Sequence, residues 1–355
     1  MAHQRAAAML AVLGVIASIF AAGTALWPVS AGVCYGVHGD RLPSAAEVVQ
    51  LYKSKGILNM RIYQPDVQTL LALKGSKINV LMGVADEDVP RLAASTSAAA
   101  DWVKVNIQPY LPGVLFQYIA VGNEITGAAT QNIAPAIKNL NAVLSATGLD
   151  DIQVSTAVRM DVLSSSSPPS SSTFKDGNIK DVLAVLNSTY ATGITAPLLV
   201  NVYPYFAYTG DTKNIDLNFA LFQPSSTVIR DNGLNYTNLF DAMVDDLYAA
   251  LSRENLVVPV VVSESGWPSY GGVGASVTNA QTYNQNLINH IRNGTPKRPY
   301  WLETYVFAMF NENQKTGAET GAETEKHFGL FNPDKSPVYP IKFRMIHVCK
   351  GCGFQ

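Results

Sequence analysis

Cysteine is scarce, with three residues in 355, too few for the disulfide frameworks that hold small exported domains together. Charge is scarce as well. Charged side chains make up 15% of the chain, and 25 Lys and Arg against 27 Asp and Glu leave a formal charge of −2. The broad basic excess that phosphate backbones select is missing, which excludes nucleic acid as a partner. Past Ala31 no run is long and apolar enough to cross a bilayer. No HExxH, zinc-ligand pair, Walker loop or GxSxG occurs, and the five histidines are scattered. Neither a metal nor a nucleotide cofactor is called for.

What is present is apolar: 48% of the residues are hydrophobic, enough for one large core or two ordinary ones. His3 and Arg5 precede an apolar run from Ala6 to Ala22, followed by small residues suited to cleavage after Ala25 or Ala31. Residues 1–31 are therefore expected to be a secretory signal, and the mature chain to be soluble, monomeric and free of the membrane. Three N-x-S/T sequons, at Asn187, Asn235 and Asn293, agree with export. Cys34 falls in an apolar strand pattern and reads as a buried thiol. The Cys349-Lys350-Gly351-Cys352 motif has no second pair to complete a zinc site, so 344–355 is expected to be a short unstructured tail.

Short β-rich runs recur at Val33–Val37, Leu58–Tyr63, Ile78–Val84, Phe116–Val121, Ile152–Ala157, Leu198–Tyr203, Val260–Glu264 and Thr304–Phe310. Between them, apolar residues recur three and four apart, as in Val48, Leu51 and Tyr52, in Trp102, Val105 and Ile107, and in Leu239, Met243, Leu247 and Leu251. Strands apolar nearly throughout suit a parallel sheet covered on both faces. Eight of them alternating with helices predict a (β/α)8 TIM barrel over 32–343, a single domain with extended loops at its C-terminal mouth. A doubly wound open sheet is the alternative, disfavoured because Tyr35-Gly36-Val37-His38-Gly39-Asp40 carries no dinucleotide fingerprint. The Ser/Pro run from Ser164 to Thr173 is expected to be a solvated connection. The Tyr-, Phe- and Asn-rich stretch from Pro204 to Gly233 is expected to overhang the mouth.

In such a barrel the strand ends converge. The fourth strand ends Val121-Gly122-Asn123-Glu124, and the seventh runs Val262-Ser263-Glu264-Ser265-Gly266-Trp267. A carboxylate straight after an apolar strand is costly to desolvate unless paired, and two of them suit glycosidic bond cleavage, one protonated and one ionised. Whether the configuration is retained or inverted depends on their separation. A third charged cluster, Glu312, Lys315, Glu323 and Glu325, follows the eighth strand. Tyr63, Tyr203, Tyr205, Phe206, Tyr208, Trp267 and Phe310 lie at or beyond strand ends, where flat faces can stack on sugar rings.

At these residues the chain resembles the plant endo-β-1,3-glucanases of glycoside hydrolase family 17. The likeness runs through Met60-Arg61-Ile62-Tyr63, Val121-Gly122-Asn123-Glu124, Asn201-Val202-Tyr203-Pro204-Tyr205-Phe206, Val262-Ser263-Glu264-Ser265-Gly266-Trp267-Pro268-Ser269 and Phe310-Asn311-Glu312-Asn313-Gln314-Lys315. The resemblance implies a retaining hydrolase of internal β-1,3 linkages in laminarin- or callose-type glucan. It implies Glu124 as acid/base and Glu264 as nucleophile, with Asn123 on the sugar 2-hydroxyl. By the same matching, Tyr63, Asn201, Tyr203, Trp267 and Phe310 contact substrate, and Glu312, Lys315 and Glu325 form a supporting network. Glu325 is chosen over Glu323 by its distance to Phe328-Gly329. Alternatives are cleavage of mixed-linkage β-1,3;1,4-glucan, transglycosylation, and a glucan-binding protein without turnover. Ala85-Asp86-Glu87-Asp88 departs from the Asn-containing loop of relatives. The C-terminal extension lacks a sequon, favouring the cell wall space over the vacuole.

Overall fold

The computed structural model describes residues 26–165, 167–190, 196–316, 322–343 and 346–349. The chain forms two units, residues 30–344 and a small one made from its two ends. In the small unit Leu26–Val29 pairs antiparallel with Ile346–Cys349, Leu26 opposite Cys349. Part of the expected tail is thus a strand, its Ile-His-Val-Cys paired with the Leu-Trp-Pro-Val near the end of the expected leader. The expected leader up to Ala25, and Cys352, lie outside the described residues.

Residues 30–344 hold a closed barrel of eight parallel strands. They are β1 (Gly32–Cys34), β2 (Asn59–Ile62), β3 (Asn79–Val84), β4 (Leu115–Asn123), β5 (Gln153–Arg159), β6 (Leu198–Asn201), β7 (Val260–Ser265) and β8 (Thr304–Val306). Each pairs with its sequence neighbour, and β8 closes on β1. The eight expected strands are all present. Their apolar continuity has a direct cause: every residue of β2, β6 and β7 is buried, facing the barrel interior on one side and helices on the other. β8 is shorter than expected. Beyond Val306 the chain leaves the ladder, and Ala308 N–H bonds the Phe328 carbonyl while Phe331 N–H bonds that of Met309.

The helices between the strands carry their own stop and start signals. Ala45–Lys55 opens on a capping box, Ser44 with Glu47, and closes on Gly56 at φ 70°. Val277–His290 and Leu239–Arg253 are capped by Ser276 and Asn238. In Thr96–Asn106 the buried face is Ala99, Trp102 and Val103, while Val105 points to solvent. The Ser/Pro connection also differs from expectation: Pro169 and Ser172 are buried, Leu163–Ser165 pairs with Thr173–Phe174, and Ser170 donates to Asp231 from both its N–H and its hydroxyl. Ser170 on Asp231 and Ser172 on Asp246 satisfy the polar atoms that turn inward, which offsets the cost of packing the segment. No helix among the described residues is long and apolar enough to cross a membrane.

Candidate active site

A cleft of about 1520 Å³ opens where the strand ends meet. Glu124 and Glu264 both line it, and the local backbone explains why. β4 loses register with β5 between Ala120 and Asn123, and β7 loses register with β6 between Val262 and Glu264. Such irregularities re-aim the side chain that follows them. Gly122 at φ 75° makes the first turn possible, and Glu124 itself is held at φ 57°, a left-handed conformation uncommon away from glycine and associated with functional positions. Its N–H is fixed by the Ala157 carbonyl at 2.9 Å.

The two carboxyls meet different surroundings. Glu264 is 5% exposed. Its Oε1 lies 2.9 Å from the Arg61 guanidinium and accepts the Tyr63 hydroxyl at 2.7 Å, while Oε2 accepts the Tyr203 hydroxyl at 2.6 Å. Burial above all, with the Glu264 charge beside them, pushes both phenols well above the ordinary tyrosine range, so they remain donors. Glu124 accepts one amide hydrogen bond, from Asn201 Nδ2 at 2.8 Å. Burial first, and then the Glu264 charge, raise its pKa from 4.5 to about 7.

Arg61 ties the two together. Fully buried at the end of β2, it donates to Asn201 Oδ1 at 3.0 Å, to Asn123 Oδ1 at 2.7 Å and to the Ser263 carbonyl at 2.9 Å, besides pairing with Glu264. Sequence reasoning gave Arg61 no role. A lone arginine inside the apolar run Asn59-Met60-Arg61-Ile62 was the available signal, since a buried guanidinium must find partners. Asp86, expected only as a departure from the loop of relatives, lines the cleft and accepts the Asn123 N–H at 2.9 Å, steadying the end of β4. Arg159, at the end of β5, lines the cleft and contributes positive charge to Glu124.

The remaining expected residues divide. Tyr63, Asn123, Asn201, Tyr203, Glu312, Lys315 and Glu325 all line the cleft. Lys315 Nζ sits 3.9 Å from Glu312, 3.5 Å from Glu325 and 4.1 Å above the Phe307 ring. Glu323 instead pairs with Lys326 and His327 at the surface. Glu312 is buried and accepts the His38 N–H at 2.8 Å. It occupies the space a side chain at residue 36 would fill, since a Cβ on Gly36 would lie 2.2 Å from Glu312 Oε1. Trp267 and Phe310 correct the expectation, for neither faces the cleft. Trp267 is wholly buried against Tyr205, Tyr208 and Tyr283 with its indole N–H on the Gly274 carbonyl, and Phe310 packs edge-on against Tyr35. The aromatic walls are Tyr35, Tyr63, Tyr203, Phe206, Phe219 and Phe307. Cys34 is a buried thiol bonded to the Ser263 carbonyl, raised to about 12 by burial and then by Glu264. Among the described residues no group of three or more His, Cys, Asp or Glu is arranged to hold a metal.

A (β/α)8 barrel with acids at the ends of its fourth and seventh strands, set in an aromatic-walled cleft, has the architecture of a glycoside hydrolase. Residues 31–343 match the family described as glycosyl hydrolases family 17, and the chain belongs to that family. It is 54% identical over 345 residues to glucan endo-1,3-beta-glucosidase GII of Hordeum vulgare, covering 97% of this chain and 100% of that one. It is 53% identical to the acidic isoform of glucan endo-1,3-beta-glucosidase of Zea mays, with the same coverage. Among solved structures it is similar to CJP38, a beta-1,3-glucanase and allergen of Cryptomeria japonica pollen, at 46% identity and a TM-score of 0.82, covering 88% of this chain and 98% of that one.

Proposed function

We propose that this hydrolase cuts internal β-1,3-glucosidic bonds of β-1,3-glucan with retention of configuration, Glu124 serving as acid/base and Glu264 as nucleophile. The observation that carries the reading is the unequal environment of the two carboxyls. Glu124, with a pKa near 7, holds a proton at mildly acidic pH and can give it to the departing glycosidic oxygen. Glu264 faces a guanidinium and two phenol donors, the surroundings of an anion able to attack the anomeric carbon. Bond formation from Glu264 and loss of the protonated leaving sugar give a glycosyl ester. Glu124, now ionised, takes a proton from the water that cleaves this ester. Asn123, its Oδ1 held by Arg61 and Asn201, bonds a sugar hydroxyl through its amide N–H groups in this reading, while Asn201, whose two amide hydrogens go to Asn123 and Glu124, orients the acid rather than the sugar. A protein that only bound glucan would gain nothing from a carboxyl desolvated to this degree.

The substrate reading draws on the names of relatives with about half their residues in common. Digestion of linear glucans tests it: reducing sugar is released from laminarin and not from mixed-linkage β-1,3;1,4-glucan, and the reverse preference overturns it. The same reading has the chain exported to the cell wall space under its N-terminal segment, acting as a monomer.

A further inference from the structure

The three sequons are alike in sequence and unlike in the fold. A sequon functions through two side chains, the asparagine amide that receives the sugar and the hydroxyl two positions on, and an attached glycan needs open space. At Asn187 both groups are committed. The amide is half-buried in the helix Ile179–Tyr190, its Oδ1 accepts the Val257 N–H at 3.0 Å, and the Thr189 hydroxyl donates to the Leu186 carbonyl at 2.6 Å. At Asn293 the amide is exposed, but Thr295 is 3% exposed and its hydroxyl donates to the buried Asp245 carboxyl. The turn between them is tight, since a Cβ on Gly294 would lie 2.1 Å from the Arg298 and Tyr300 carbonyl oxygens.

Asn235 differs on every count. It lies in the hairpin Ile229–Asp231/Leu234–Tyr236, and both Asn235 and Thr237 are exposed. No side-chain hydrogen bond engages either residue among the described residues. Register fixes its direction. Ile229, which lines the cleft, pairs with the buried Tyr236, so the intervening pair Arg230 and Asn235 faces the opposite way.

We infer that Asn235 is an N-linked glycosylation site, carrying its glycan on the outer face of a hairpin whose inner face walls the substrate cleft. In the transfer, Asn235 Nδ2 loses a proton and bonds the anomeric carbon of the reducing-end N-acetylglucosamine of a lipid-pyrophosphate oligosaccharide. The bond from that carbon to pyrophosphate breaks, and the lipid pyrophosphate leaves. The host's oligosaccharyltransferase supplies the reaction. Because the glycan projects away from the cleft, it leaves catalysis on short substrates unchanged and adds bulk only on the outside.

The inference rests on the export reading, and the test separates the two. The full chain is translated with endoplasmic-reticulum microsomes, protease protection is scored, and glycosidase-treated peptides are mapped by mass. The expected result is a protected chain in which residue 235 alone is converted to Asp, and in which Thr237→Ala abolishes the glycan while leaving kcat/KM on laminari-oligosaccharides unchanged. A protected chain unmodified at Asn235, or modified at Asn187 or Asn293 instead, overturns the site and leaves export standing. An unprotected chain overturns export, and the same chain behind a strong secretory leader then decides Asn235 by the same map.

Discussion

Glu124 and Glu264 carry the same carboxyl group and meet opposite surroundings. One has a single amide donor and a like charge nearby, the other a guanidinium and two phenols. Replacing Glu264 by Gln exchanges the anionic carboxylate for a neutral amide without changing the cleft's shape, so kcat on laminarin should fall by about three orders of magnitude or more with KM little altered. Steady-state kinetics check this, and near-normal turnover would remove Glu264 from the role. Glu124 governs the basic side of the pH profile. The acid must be protonated to act, so kcat/KM should decline as pH rises through about 7, with a slope approaching tenfold per pH unit. Glu124→Gln should lose that limb together with activity on glucan. It should keep far more activity on aryl glucosides, whose leaving groups depart without a proton.

Among the elements, the helix Leu239–Arg253 is unusual in burying three acids, Asp241, Asp245 and Asp246. Asp246 accepts the Ser172 hydroxyl at 3.1 Å, which is why the Ser/Pro connection packs instead of floating in solvent. Burial first, with the charges of Asp245 and Asp231, raises the Asp246 pKa from 3.8 to about 8. Between those two values the folded chain holds a proton that the unfolded chain has lost, so this residue's contribution to stability falls as pH rises across the window and is lowest above about 8. Asp246→Asn keeps the shape and cannot ionise. Its Tm should match the parent near pH 4, exceed it increasingly as pH rises to about 8, and keep a constant lead above that. Thermal melts across that range check this, and an offset independent of pH would contradict it.

For the molecule as a whole, the barrel was legible because burial on both faces writes each parallel strand as an apolar run. The two glutamates stood out because an acid breaking off such a run demands an explanation. Elsewhere a residue could stand out in the sequence without its partners being visible. Arg61 occupies one position of a strand, and nothing in the order of residues shows that its guanidinium reaches Asn123, Asn201 and Glu264. Trp267 and Phe310 were misread because an aromatic ring past a strand end can turn toward the cleft or away from it, and here the cluster around Tyr205 and Tyr283 and the contact with Tyr35 draw them inward. The Ser/Pro loop misled for a related reason, since its partners are acids more than 60 residues away.

The measurement that bears most directly on the paired glutamates is the anomeric form of freshly released product, followed by proton NMR during digestion of laminarin before mutarotation sets in. Two displacements, one by Glu264 and one by water, predict that the β-anomer appears first and the α-anomer grows in later. Initial release of the α-anomer would mean a single displacement by water, and would contradict the assignment of Glu264 as nucleophile.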